Sequence, residues 1–248
     1  MNRPHLSPVA VRRCGLAAVV LAVASIPLAV LNALARMQTA DGREDLSNGL
    51  VSWWAEPALR AFEPLLDFGS AQTVYLTYGK FNLLAMLAVL ACMVAAWTRR
   101  PTRLGWAERW GWRLSISATL VMCVGQLVVY WLGIVDRGYL VVLLALLVGI
   151  VASVLLGVGL VRARFRPRLA AWVILLDLPL MIALSSVSTM ALTMWPRMLA
   201  WGLIGWSLWR GRQRPMPSRA ATSSPPTRRT VSGSPTTTST SVARDIPT

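Results

Sequence analysis

Asp177 is the residue of this chain whose type and setting most invite chemistry. It is the one acid placed well inside an apolar stretch, about eight residues past the start near Leu169, hence ~12 Å deep at ~1.5 Å per helical residue. A carboxylate in hydrocarbon is costly and by default marks a functional site. It persists there only if neutral, hydrogen-bonded or hydrated. Pro179 follows two residues later. It cannot donate to the carbonyl one turn upstream, so the helix should bend beside the acid. Broken helices in transporters hold ions and substrates at such points. The competing expectation is a structural Asp hydrogen-bonded to Gln126, because no basic residue stands at matching depth in the sequence.

Two further constellations share a helix face. Ser115, Thr119, Cys123, Gln126 and Tyr130 recur at steps of three and four. A polar stripe in hydrocarbon must face protein or water. It supplies either an interhelical hydrogen bond from Gln126, worth ~0.6–2 kcal/mol, or the wall of a cavity. Ala145, Gly149, Ser153 and Gly157 stand four residues apart and would let a neighbouring helix approach closely, within the chain or in a homo-oligomer. Ala18, Ala22, Ser25, Ala29 and Asn32 form a looser stripe of the same kind.

Other chemistry lacks its residues. His5 is the only histidine and lies in a basic leader. Cys14, Cys92 and Cys123 sit in apolar segments without a CxxC, where thiols behave as small apolar groups. There is no Walker A loop, GxSxG or HExxH. Ser185 and Ser188 have no base nearby in sequence. No catalytic residue, metal or cofactor is expected, and the protein is not expected to be an enzyme.

The elements that must position Asp177 follow from composition. Hydrophobic residues make up 55% of the 248, charged residues 14%, and the mean hydropathy is +0.55. Soluble domains are nearer ~25% charged, so this chain is solvated mainly by lipid. The stretch 139–161 carries no charge and can span the ~30 Å hydrocarbon core as one helix. Inside hydrocarbon a helix satisfies its own backbone. The fold expected is all-α: a polytopic helical membrane protein, a single bundle of about six transmembrane helices over 14–209. The spans are about 14–35, 81–98, 114–135, 139–161, 169–189 and 191–209. The last is interrupted by Trp195-Pro196-Arg197 and needs local thinning to cross. The first could instead be a signal peptide, with Ala33-Leu34-Ala35 as its cleavage site, but its apolar run exceeds the usual ~7–15 residues.

Between spans, 36–80 is the only sizeable loop, with six acidic against four basic side chains. Leu46, Leu50, Trp54, Leu59, Phe62 and Leu66 recur at helical spacing. Pro57 and Pro64 should cut this into short amphipathic helices on the outer surface, with Trp53 and Trp54 at headgroup level, or into a lid or partner-binding cap. Asp136-Arg137-Gly138 reads as a tight outer turn. Trp106, Trp110 and Trp112 among arginines read as an interfacial belt. Residues 1–13 form the basic leader and 210–248 a disordered basic Ser/Thr/Pro-rich tail.

The net charge of +15 sits in short segments beside the spans. That is the positive-inside pattern, not a nucleic-acid surface. Leader, 99–113, 162–168 and tail are expected in the cytoplasm, and the acidic loop outside, in a multi-pass protein of the cell membrane. The expected function is binding, as a scaffold, assembly factor or regulator of a membrane partner. The alternative is a small transporter or channel-like protein with Asp177 and the third-span polar face lining its path. Partners are the bilayer and a membrane protein or second copy.

Overall fold

A computed structural model describes residues 6–100, 104–188 and 190–211. The readings of the leader before Leu6, of Arg103 and of the tail beyond Gly211 lie outside them. The described residues are all helical elements, turns and loops, without a strand.

Among the described residues four helices are long and apolar enough to cross a membrane. They are α1 (Pro8–Gln38), α4 (Ala71–Thr98), α5 (Trp106–Tyr130) and α6 (Val135–Arg162). A fifth candidate is the pair α7 (Arg168–Leu175) and α8 (Asp177–Ser185), bent by 64°. Pro179 supplies the cause, since the Leu175 carbonyl cannot find its usual donor there. The expected sixth span is corrected: it divides into α9 (Met190–Thr193) and α10 (Trp195–Trp209). Pro196 stands at the first turn of α10, where its missing N–H costs nothing. Fifteen residues give α10 a length of ~22 Å, short of the hydrocarbon thickness.

These helices pack in chain order around a ring, α1 on α4, α4 on α5, α5 on α6 and α6 on α7, and α10 closes it by touching α7, α1 and α4. The burial pattern is that of a lipid-solvated bundle. On α6, Leu140, Leu144, Leu147, Val148 and Val151 are exposed, whereas Ala145, Gly149, Ala152, Ser153 and Gly157 are buried. Bulk points outward into apolar solvent and small residues let backbones meet. The tightest pair, α5 with α6, rests on other glycines. A Cβ on Gly111 would lie 2.5 Å from the Leu156 nitrogen, and one on Gly159 2.6 Å from the Glu108 Cβ.

The loop 36–80 folds into a docked cap of a 3-10 segment (Asp41–Ser47), α2 (Gly49–Ala61) and α3 (Glu63–Leu66). Val51, Ala55 and Leu66 bury against Leu34, Met37 and Val74 at the ends of α1 and α4. Pro57 lies inside α2 without breaking it, contrary to expectation, and Pro64 sits in the first turn of α3. The two tryptophans diverge. Trp54 donates its indole N–H to the Val187 carbonyl at 2.7 Å, while Trp53 stays 80% exposed. Two loop readings are also corrected. Asp136-Arg137-Gly138 belongs to the first turn of α6, and the turn itself lies at Trp131–Ile134, with Gly133 at φ +70°. Trp112 is not interfacial but fully buried, edge-on to Trp201.

Candidate functional site

Asp177 opens α8 at the bend, so its carboxylate stands in the first turn, where the helix dipole favours negative charge. Three donations converge on its Oδ2. Ser153 Oγ donates from α6 at 3.0 Å, Arg197 Nε donates from α10 at 3.1 Å, and Arg197 Nη2 donates as well. Nη2 also reaches Ser153 Oγ at 3.4 Å. The two charged side chains are only 8% and 5% exposed. The expected Gln126 partner is therefore replaced by Arg197, a residue the sequence reading passed over as part of an interruption. The segments 169–189 and 191–209 each hold one embedded charge, of opposite sign, and that was the signal available.

The stripe 145–157 serves this site. Ser153 is a ligand of the carboxylate. A Cβ on Gly149 would come 3.3 Å from Arg197 Nη1, so the glycine makes room for the guanidinium. Gly157 lies against Leu175 of α7, and Ala145 is buried in the main core. Ser115 and Thr119 line the same small cleft with Met93 and Trp201. Its free space is about 10 Å³, enough for a single water at most.

Gln126 and Tyr130 lie farther along α5 and face a different space. This cavity, at the cap end of the bundle, has a volume of about 70 Å³, and Asn32, Arg36, Tyr75, Asn82, Gln126, Tyr130 and Tyr139 are among its lining residues. Asn32 Nδ2 donates to the Tyr75 carbonyl at 3.3 Å, and the Tyr75 and Tyr130 hydroxyls stand 3.4 Å apart. Arg36 gives its Nε to Asp45 at 3.3 Å and also reaches Tyr139. Gln126 Oε1 is buried with no hydrogen-bond partner among the described residues. Met122, Leu146 and Met198 line this cavity, all buried, while the adjoining turns, with Thr119, Gly149 and Trp201, line the Asp177 cleft. The proposed polar stripe of α5 is thus shared between two compartments.

A second buried ion pair closes the arginine-rich end. Arg100 Nε meets Glu108 Oε1 at 2.7 Å, with side chains 10% and 6% exposed. Trp112 Nε1 also donates to Glu108, at 3.3 Å, and the Arg100 guanidinium stacks over Phe165. Among the described residues no three His, Cys, Asp or Glu side chains gather as metal ligands. Comparison of the chain with family models, curated proteins and solved structures finds no match.

Proposed function

We propose that this is a multi-pass protein of the cell membrane that acts by binding, as a scaffold, assembly factor or regulator of a membrane partner, without catalysis. The observation that carries the reading is the closure of the Asp177 site. A carboxylate that carries a proton or cation across a membrane needs a connected path of water or a vacant coordination position beside it. Asp177 is instead neutralised by Arg197 and held by Ser153, beside a cleft with room for a single water at most. It joins α6, α8 and α10, which is a structural task. Both termini are assigned to the cytoplasm. The arginine clusters near 99–113, 162–168 and 210 gather at helix ends opposite the acidic cap, which supports that orientation.

A small transporter or channel-like protein is the second reading. It draws on the cavity at the cap end of the bundle, with Gln126 and Tyr130 in its wall. The deciding experiment has two arms. Purification in mild detergent should yield a partner at fixed stoichiometry, or a defined homo-oligomer. Proteoliposomes should show no proton- or ion-driven flux. Coupled flux that disappears in Asp177→Asn, while the variant still folds, would overturn the proposal.

A further inference from the structure

A groove runs along α10 between α1 and the bent pair α7–α8. To it α10 contributes Leu199, Leu203 and Trp206, α1 contributes Val19, and α7 and α8 contribute Val173 and Leu180. α10 packs closely on α7 and much less on α8, which leaves space past the 64° bend. No lining residue is charged, and the free volume is about 600 Å³, within the ~300–1,000 Å³ of sites for drug-sized ligands. Val23 and Leu169, also in the lining, are exposed, so the groove opens sideways toward lipid. Trp195 and Trp206 bound it along α10 and stand ~16 Å apart at ~1.5 Å per residue. That is about half of the ~30 Å hydrocarbon core, the share of one leaflet. The Trp206 end is basic. The Arg210 guanidinium lies 4.1 Å from the centre of the Trp206 ring. A Cβ on Gly211 would come 3.4 Å from Arg12 Nη2, which puts Arg12 at the same end of α10. Arg168 directly precedes Leu169. All three arginines are exposed, and no acidic side chain pairs with them among the described residues. At the Trp195 end the neighbouring cation, Arg197, is buried and committed to Asp177.

We infer that this groove holds one acyl chain of an anionic phospholipid, whose phosphate sits among Arg12, Arg168 and Arg210. The occupant must be apolar over one leaflet's depth and negative at one end only. A membrane-spanning helix is ~10–12 Å wide and crosses both leaflets, so it would neither end at Trp195 nor use the arginines. A zwitterionic lipid brings an ammonium that the same arginines repel. A free anion leaves the apolar groove empty. Basic side chains at the bilayer surface favour anionic lipid by about fivefold in affinity each. The inference needs only that the helices cross a membrane and stands apart from the partner-binding reading.

The test titrates the full chain in mild detergent with dioleoyl phosphatidylglycerol. Dioleoyl phosphatidylcholine and inorganic phosphate are the controls. Native mass spectrometry counts retained lipids, and the thermal midpoint is read alongside. One phosphatidylglycerol should be retained and should raise the midpoint. Phosphatidylcholine should bind at least about tenfold more weakly, the effect of two arginines or more, and phosphate should do nothing. Arg12→Gln and Arg210→Gln change exposed side chains, so both variants should fold. Each should lose about fivefold in phosphatidylglycerol affinity. Leu203→Trp fills the groove and keeps the arginines, and it should also release the lipid. Leu144→Trp, at an exposed position of α6 outside the groove, should retain it. Equal binding of the two lipids would overturn the inference, as would a response to phosphate alone. So would full affinity in Leu203→Trp, or a dimer that this substitution dissociates, since the groove would then hold a second copy.

Discussion

Arg197 and Asp177 are twenty positions apart in the chain and meet across a gap that neither helix end explains. Asp177 stands at the bend between α7 and α8, and Arg197 in the first turn of α10. Gly149 of α6 leaves room for the guanidinium, since a Cβ there would come 3.3 Å from Arg197 Nη1. Ser153, one turn on along the same face, completes the set.

Removing one charge should be worse than removing both. Arg197→Met leaves a buried carboxylate unpaired and should cost ~3–5 kcal/mol. The double variant Asp177→Leu, Arg197→Met should recover most of that loss. Chemical unfolding in detergent measures both. A single variant as stable as the parent would show that the pair is not sequestered.

Close approach of α6 to α7 gives a second test. A Cβ on Gly157 would lie 2.5 Å from the Leu175 Cα and 2.7 Å from its nitrogen, backbone atoms that cannot rotate aside. Gly157→Ala should destabilise by ~1–3 kcal/mol. Gly49, at the start of α2, has nothing within 4 Å of that position. Gly49→Ala should be neutral or gain ~0.4–1 kcal/mol from a less flexible unfolded chain. Equal effects of the two substitutions would refute the packing described.

The cap is fastened at Trp54 and Asn48. Both donate to carbonyls in the segment after α8, Trp54 to Val187 at 2.7 Å and Asn48 to Ser186 at 3.3 Å. Trp54→Phe keeps the bulk and loses a hydrogen bond worth ~1 kcal/mol, so limited proteolysis should cut the cap faster. Trp53→Phe, at an exposed position, should leave the cleavage rate unchanged.

Orientation can be read with a fused enzyme. Alkaline phosphatase joined near Trp106, at the arginine-rich end of α5, should be inactive, since that end is assigned to the cytoplasm. The same enzyme placed in the cap should be active. The reverse pattern would invert the topology.

What was legible in the sequence was whatever a single segment carries. Apolar length located the long helices, Pro179 announced the bend, and spacing placed Ser153 and Gly157 on one buried face. What was missed depends on two segments at once. Arg197 looked like an interruption because its depth depends on how α9 and α10 are divided, and one-dimensional counting does not fix that. Gln126 was paired with Asp177 because no basic residue stood at matching depth in the sequence. Yet it lies seven residues beyond Thr119, ~10 Å farther along the helix, in a separate cavity. Trp112 was read as part of an interfacial belt because α5 starts earlier than its apolar run.

The contact between Gly15 of α1 and Gly205 of α10, where a Cβ on the first would lie 2.5 Å from the carbonyl oxygen of the second, also sets an order of events at the ribosome. Translation delivers the N-terminal helices first. α1 therefore waits with α4 on one flank while its other flank, at Gly15, Ala18 and Ala22, lacks α10 until that helix emerges. The same helix brings Arg197, so the nascent chain lacks the counter-charge of Asp177 until α10 is made. One helix delivers both the closing flank and the counter-charge. A product truncated before α10 therefore carries an open seam on α1 together with a carboxylate held by Ser153 alone.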